Sequence, residues 1–169
     1  SSRISTKDTQ IGIITNKITG VSKAVMRLKN LQQFYIANSP ITYDKICTDW
    51  TDPNSSYAQQ YEKENLSWAG MTNLTDVELY NCVNLTRLPL DMVGNLPELQ
   101  LLNIACNQNI SGAQLREDWS KLCDMPAGPR LQILYMGYNN LEEFPEDAQL
   151  RKMVKFKMLD CTTNKVHTL

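Results

Sequence analysis

A short pattern of large apolar residues that ends in an asparagine recurs along this chain. Its form is L-x-x-L-x-L-x-x-N, where L is any large apolar residue, and complete copies span Leu99–Asn107, Leu131–Asn139 and Phe156–Asn164. The central L-x-L alternates with the period of two that a β-strand requires, because successive side chains of a strand point to opposite faces. The pattern therefore predicts a series of short strands that bury the same face.

Further copies depart from the pattern in one position each. Leu31–Ser39 ends in serine, Leu74–Cys82 ends in cysteine, and Ile11–Ile18 keeps only the second half of the pattern. Most separations between the asparagine-type positions fall within a period of roughly 20–29 residues. The two longer separations indicate insertions at about residues 43–70 and 111–128.

An amphipathic helix is the alternative to this interpretation, since apolar residues three apart also fit a helical face. A helix would not require asparagine at one fixed offset from the leucines. It would also not require a closing apolar-proline pair, as occurs at Leu88-Pro89 and Phe144-Pro145. The spacing therefore favours the repeat.

The segments Leu131–Pro145 and Leu159–Val166 resemble leucine-rich repeat proteins. The irregular repeat lengths resemble the predicted surface or lipid-anchored leucine-rich repeat proteins of Bacteroides-type gut bacteria. The resemblance implies an α/β solenoid, a right-handed β-α superhelix that occupies residues 1–169 as one domain. About six parallel strands would line its concave face, with short helices or turns on the convex face. The resemblance also implies a binding protein outside the cytoplasm, at the cell surface or secreted.

The asparagine-type positions are expected to hold the turns after the strands. A side-chain amide can bond backbone groups that burial would otherwise leave unpaired. Stacked repeats would form a ladder of such side chains at Asn16, Ser39, Cys82, Asn107, Asn139 and Asn164. Serine and cysteine offer fewer or weaker donors, so we expect their turns to be less firmly held.

The residues between the inward leucines are expected to face the open concave surface and to contact a partner. The candidates are Tyr35, Glu78, Tyr80, Leu101, Asn103, Ile133, Tyr135, Tyr138, Met158 and Asp160. Exposed apolar residues and tyrosines are enriched at interaction sites. Two alternatives stay open: neighbouring strands pack these side chains against one another, or an insertion folds over them.

The two insertions carry aromatic residues. The first contains Trp50 and Trp68, and a helix is predicted within residues 56–66; its tryptophans either serve binding or fix the loop to the solenoid. The second predicts a helix over residues 114–122, with Leu115, Trp119 and Leu122 on one face that docks onto the convex side.

Composition and motifs argue against several other functions. The formal charge of −1 gives no basic field for nucleic acid. No apolar run is long enough for a transmembrane segment. Five cysteines lack metal-type spacing, and with His167 as the one histidine a catalytic triad is not expected. No nucleotide-binding motif occurs, so no cofactor is expected.

The function predicted from the sequence is therefore a non-catalytic module that binds a protein or other macromolecular ligand through its concave face. The alternative is a structural or adhesive spacer within a larger cell-surface protein. The chain opens Ser1-Ser2-Arg3 without methionine, which is typical of a piece of a longer protein. It shows no polar closing helix at Leu169, so we expect either that further residues follow in the natural protein or that another partner shields the end strand.

Overall fold

The computed structural model describes residues 9–14, 17–47 and 63–167, and its main element is a parallel sheet of six strands. These are β1 (Gln10–Ile14), β2 (Gln33–Ala37), β3 (Asp76–Tyr80), β4 (Leu101–Asn103), β5 (Ile133–Tyr135) and β6 (Met158–Asp160). Each strand pairs in parallel with the next strand in the chain. The predicted α/β solenoid with about six parallel strands is confirmed.

Every strand begins at the same position of the repeat, so equivalent residues lie side by side in rows across the sheet. The first row is Gln10, Gln33, Asp76, Leu101, Ile133 and Met158, and the second is Gly12, Tyr35, Glu78, Asn103, Tyr135 and Asp160. A third row contains Ile14, Ala37 and Tyr80 and continues beyond the shorter strands through Ala105, Gly137 and Thr162. Because alternate residues point to opposite faces, these three rows share one face, which we call the open face.

The leucine-type positions of the repeat form the core on the other face of the sheet. The first leucines of four copies, Leu31, Leu74, Leu99 and Leu131, are each 0% exposed. The inward strand residues are also buried, namely Phe34, Ile36, Val77, Leu79, Leu102, Ile104, Leu134 and Met136. Burying one such side chain contributes roughly 1.5–3 kcal/mol, so contact between successive repeats stabilises the whole array.

Short helical segments return the chain from one strand to the next. The α-helices that lie wholly within the described residues are α1 (Asp44–Cys47), α2 (Leu90–Val93), α3 (Gly112–Leu122) and α4 (Asp147–Leu150). Lys23–Arg27 and Trp68–Gly70 form 3₁₀ turns. Pro89 precedes α2, where a missing amide hydrogen leaves no helical bond unmade. Ser111 caps α3 by accepting a hydrogen bond from the Gln114 amide at 3.2 Å.

Helix α3 lies in the second insertion and is the longest described helix. Its residues Leu115, Trp119 and Leu122 are all buried, and the Trp119 ring meets Phe144 edge-to-face with 5.6 Å between centroids. Asp118 on the same helix is fully buried, and its Oδ2 accepts a hydrogen bond from the Leu88 amide at 2.8 Å. The insertion is thus tied to two neighbouring coils by apolar packing and by one buried carboxylate.

Candidate functional site

Asn107 bridges two successive coils just after β4. The side chain is 1% exposed, and its Oδ1 accepts a hydrogen bond from the Cys82 amide at 2.8 Å. Its Nδ2 donates to the carbonyls of Leu79 at 2.7 Å and of Ile104 at 2.8 Å. One amide group therefore supplies partners to backbone groups of both coils, which the adjacent turns leave unpaired.

Asn139 repeats this arrangement one coil later. Its Oδ1 accepts from the Asn107 amide at 2.7 Å, and its Nδ2 donates to the carbonyls of Ile104 at 3.0 Å and Met136 at 2.9 Å. Asn164 is half-buried and also donates to the Met136 carbonyl, at 2.9 Å. These three side chains form a continuous ladder that joins the last coils of the described chain.

The ladder positions at the other end carry smaller side chains. Ser39 is buried and its hydroxyl donates to the Ala37 carbonyl at 3.1 Å. The buried Cys82 thiol lies 3.7 Å from the Tyr80 carbonyl and 3.9 Å from that of Ile36, distances at which sulfur forms weak hydrogen bonds. Asn16 lies outside the described residues.

The residue before each of the five described ladder positions adopts a left-handed backbone conformation. The φ angles are 53° at Asn38, 50° at Asn81, 61° at Cys106, 56° at Tyr138 and 53° at Thr163. Asparagine tolerates this region, whereas bulky and β-branched residues are rare in it. The turn geometry therefore imposes strain at the last three of these residues. The sequence pattern alone does not reveal it.

A concave pocket of about 240 Å³ lies on the open face across β3 to β6, and we call it the tyrosine pocket. Its lining consists of Tyr80, Asn103, Ala105, Cys106, Tyr135, Gly137, Tyr138 and Asp160. Five of these residues are among the ten candidates taken from the sequence. Tyr80 is 42% exposed and Tyr138 is 52% exposed, so aromatic surface is presented to solvent at this pocket.

Polar contacts fix two of the pocket's side chains. A hydrogen bond between the side chains of Tyr80 and Cys106 raises the pKa of the Tyr80 phenol, so this tyrosine is neutral at physiological pH. Hydrogen bonds from the Thr162 side chain and amide, the latter 2.9 Å from Oδ1, lower the pKa of the Asp160 carboxyl. The pocket therefore combines the neutral phenol of Tyr80 with the ionised carboxylate of Asp160.

Leu101, Ile133 and Met158 lie side by side at the edge of the tyrosine pocket, as neighbours in the first row. Met158 is 45% exposed, and its sulfur lies 3.9 Å from the Tyr135 hydroxyl. Leu101 and Ile133 are half-buried rather than exposed as the sequence suggested. Strands about 4.8 Å apart bring such side chains into contact with each other, which removes part of their surface from solvent.

The other two candidates, Tyr35 and Glu78, line a separate pocket of about 140 Å³, which we call the β2 pocket. Asp76 also lines it. The Tyr35 ring covers Gly12, where an added Cβ would lie 2.4 Å from the ring. The structure thus divides the predicted contact residues between two pockets, and Tyr35 belongs to a different one from Tyr80, Tyr135 and Tyr138.

Three residues of the pocket were not among the candidates, namely Ala105, Gly137 and Cys106, and of these Cys106 carries a reactive side chain. It occupies the same position of its repeat as Tyr138, immediately before a ladder asparagine, and that equivalence could have placed it beside the open face. The three rows of the open face, all of which the structure describes, contain the carboxylates Asp76, Glu78 and Asp160 but no lysine, arginine or histidine. The face is therefore aromatic and negatively charged.

Other chemistry finds little support in the part of the chain that the structure covers. Within residues 9–14, 17–47 and 63–167, no cluster of three or more histidine, cysteine or acidic side chains could hold a metal ion. None of the helices in those ranges is both long and apolar enough to cross a membrane. The cysteines whose side chains the structure describes are free thiols, namely Cys82, Cys106, Cys123 and Cys161.

The parallel sheet, the buried leucines and the asparagine ladder together define a leucine-rich repeat protein. Over 99% of its length the chain is similar to two crystallised leucine-rich repeat proteins. One is from Bacteroides thetaiotaomicron, with 63% identity and a TM-score of 0.87, and the other from Bacteroides eggerthii, with 55% identity and a TM-score of 0.85. The chain thus has the leucine-rich repeat fold and is similar to leucine-rich repeat proteins of Bacteroides, as the sequence predicted.

These relatives are much longer than the chain, which spans 20% of the first and 27% of the second. A Leptospira interrogans leucine-rich repeat protein shares the fold, with a TM-score of 0.59 at 20% identity over 92% of the chain. The chain matches no protein-family model and no curated relative. The comparisons therefore identify the repeat class and its fold, and they name no ligand.

Proposed function

We propose that the chain is a non-catalytic module that docks a protein partner on its open face, with the tyrosine pocket as the principal contact. The carrying observation is the convergence of Tyr80, Tyr135 and Tyr138 at one pocket of a preformed sheet. Tyrosine contributes a large contact area at low entropic cost, since its side chain has only two rotatable angles. A surface fixed by stacked repeats also loses little freedom on binding.

The strain at Tyr138 supports a binding role. Asparagine occupies the equivalent left-handed position at Asn38 and Asn81, where it fits the backbone, whereas tyrosine does not. A costly residue whose side chain is 52% exposed contributes little to the core. Its retention is readily explained by a contact outside the chain.

Photo-crosslinking tests the proposal. A photoreactive amino acid replaces Met158 on the open face or, as the matched control, Val154 on the loop between α4 and β6. Both native side chains are well exposed, at 45% and 74%. In extracts of the source organism we expect a discrete, saturable adduct from position 158 and none from position 154. Unlabelled chain should compete for it, and the Tyr80→Ala/Tyr138→Ala variant should not.

The result also separates docking from a spacer role. A spacer has no partner on the open face, so positions 158 and 154 would give the same diffuse labelling. Competition by the double-alanine variant as strong as that by the native chain would contradict the assignment of the tyrosine pocket. Location outside the cytoplasm stays a prediction from the sequence.

A further inference from the structure

We infer that the tyrosine pocket receives the cationic end of a lysine or arginine side chain from the protein partner. This inference rests on the proposed docking function and adds the chemistry of the contact. It follows from the size of the pocket, the rings that line it and the charge of the surrounding face, which are taken in turn below.

The pocket's size suits a single side chain. Its volume of about 240 Å³ lies below the roughly 300–1,000 Å³ of sites that enclose a whole small molecule. Gly137 and Ala105 form part of its lining, so the space is open because these two positions lack large side chains. A long, narrow group that enters from a partner would fill it.

The rings of Tyr80, Tyr135 and Tyr138 give the pocket an aromatic lining. The face of an aromatic ring carries partial negative charge and attracts a cation placed within about 6 Å of the ring centre. Arginine can also stack its planar guanidinium on such a ring. An apolar side chain would gain from the same rings, so the lining alone does not decide between a charged and a neutral occupant.

The carboxylates of the open face favour a cationic occupant of the pocket over a neutral one. Asp160 lines the tyrosine pocket, and hydrogen bonds from Thr162 lower the pKa of its carboxyl, which favours the charged form. Asp76 and Glu78 carry further negative charge on the same face, and its rows contain no basic residue. An acidic partner segment would be repelled, whereas a basic one would be attracted and could place its charge against both ring and carboxylate. Asn103 lies beside them, and its Oδ1, which accepts a hydrogen bond from the Ala105 amide at 3.0 Å, keeps a second lone pair for a donor.

The test uses blocked amino acids as probes of the pocket on the full chain. The chain, labelled with ¹⁵N, is titrated with N-acetyl-arginine methylamide and N-acetyl-lysine methylamide and followed by amide NMR spectra. N-acetyl-citrulline methylamide is the matched neutral probe, since it has nearly the shape of the arginine probe without its charge. Maltotriose tests the alternative of a sugar stacked on the tyrosines.

We expect the two cationic probes to shift the amide signals of Cys106, Gly137 and Tyr138, with citrulline binding about tenfold more weakly. Asp160→Asn should weaken arginine binding about three- to fivefold, whereas Asp76→Asn should change it less than twofold. Added salt should weaken the binding, because Asp160 is accessible to solvent. Ala105→Leu, which keeps every charge and ring, should abolish it by filling the pocket.

Several results would overturn the inference. These are equal binding of citrulline and arginine, equal effects of the two asparagine variants, binding of maltotriose alone, or no shift with either cationic probe. The amide spectrum of each variant reports its fold independently of binding. If the arginine probe fails to bind, the inference is wrong even where the Met158 crosslink forms. A missing crosslink beside a binding probe instead contradicts the docking function and leaves the cation preference of the pocket in place.

Discussion

Replacing Asn107 by alanine should destabilise the chain about twice as much as replacing Asn139, although both residues hold equivalent turns. The Asn107 side chain is the partner of the Cys82 amide and the Leu79 carbonyl, both of buried residues. Its third bond, to the Ile104 carbonyl, is duplicated by the Asn139 amide group at 3.0 Å. Asn107→Ala therefore leaves two buried backbone groups without a partner.

Counting the backbone groups that lose their hydrogen-bond partner gives a smaller effect for Asn139→Ala. The Ile104 carbonyl keeps the amide group of Asn107, and the Met136 carbonyl keeps that of Asn164 at 2.9 Å. The amide of Asn107 alone loses its partner. One buried unpaired group costs roughly 1–3 kcal/mol. The free energy of unfolding should thus fall by roughly 2–6 kcal/mol in Asn107→Ala and by roughly 1–3 kcal/mol in Asn139→Ala.

Urea unfolding followed by circular dichroism measures both changes. Asn84→Ala is the control, because Asn84 is exposed and its side chain makes a long 3.4 Å contact; its effect should stay within about 0.5 kcal/mol. The slopes of free energy against urea must agree among the variants for the comparison to hold. Equal losses at the two positions, or a larger loss in Asn139→Ala, would refute the idea that duplicated bonds protect the second turn.

Three further predictions concern strain, charge and thiol reactivity. Tyr138→Asn should raise the free energy of unfolding by about 1 kcal/mol in urea melts, because asparagine fits a φ of 56° better than tyrosine. Burial raises the pKa of the Asp118 carboxyl, because the charged form is disfavoured inside the fold. The contribution of the protonated side chain to the free energy of unfolding is therefore full at acid pH, and it is lost as pH rises through the folded-state pKa. Over that rise, Asp118→Asn should gain stability relative to the native chain. Asp160→Asn should lose stability relative to the native chain at lower pH, as pH rises from the lowered folded-state pKa of Asp160 to the ordinary carboxyl value. Iodoacetamide should label the half-buried Cys106 before Cys82, as peptide mapping can show, because burial raises the pKa of the Cys82 thiol to about 11.

Each of these predictions has a result that contradicts it. A less stable Tyr138→Asn chain would mean that the ring contributes packing which outweighs the backbone strain. Parallel pH profiles for Asp118→Asn and the native chain would show that the buried carboxyl is not desolvated in the folded state. Labelling of Cys82 first would place its thiol closer to solvent than the structure does.

The sequence was sufficient to predict the sheet because the repeat encodes it directly. The x-L-x-L-x pattern has period two, so it fixed which residues face inward, and the constant offset to the asparagine fixed the register between strands. The helix over residues 114–122 could also be predicted from local spacing, because Leu115, Trp119 and Leu122 recur with the period of an α-helix and lie on one helical face. Local periodicity thus carried most of the fold.

The candidate site was only partly accessible from the sequence. Row positions identified Tyr80 and Tyr135 as residues of the open face. Whether those tyrosines share a pocket depends on the size of the side chains that lie between them. Small residues such as Gly137 leave the space that forms the pocket. The separation of Tyr35 follows from its packing over Gly12, a contact between two strands that no single repeat encodes. Cys106 was missed because its position lies outside the alternation of the strand, and at that position only the aromatic Tyr138 was selected as a candidate.

The division of the open face into two pockets fixes the distance between two possible contact points on this surface. The β2 pocket holds Tyr35, and Tyr135 of the tyrosine pocket lies three strands away in the same row, about 14 Å at the usual interstrand distance. When a partner binds one pocket, the part of it that fits the other pocket is held nearby at a high effective concentration. A partner that reaches both pockets would therefore bind much more tightly than either contact alone allows. Adding or removing one whole coil between them would leave each pocket chemically intact and shift the separation by about 4.8 Å. The number of intervening coils is then itself a determinant of which partners this surface accepts.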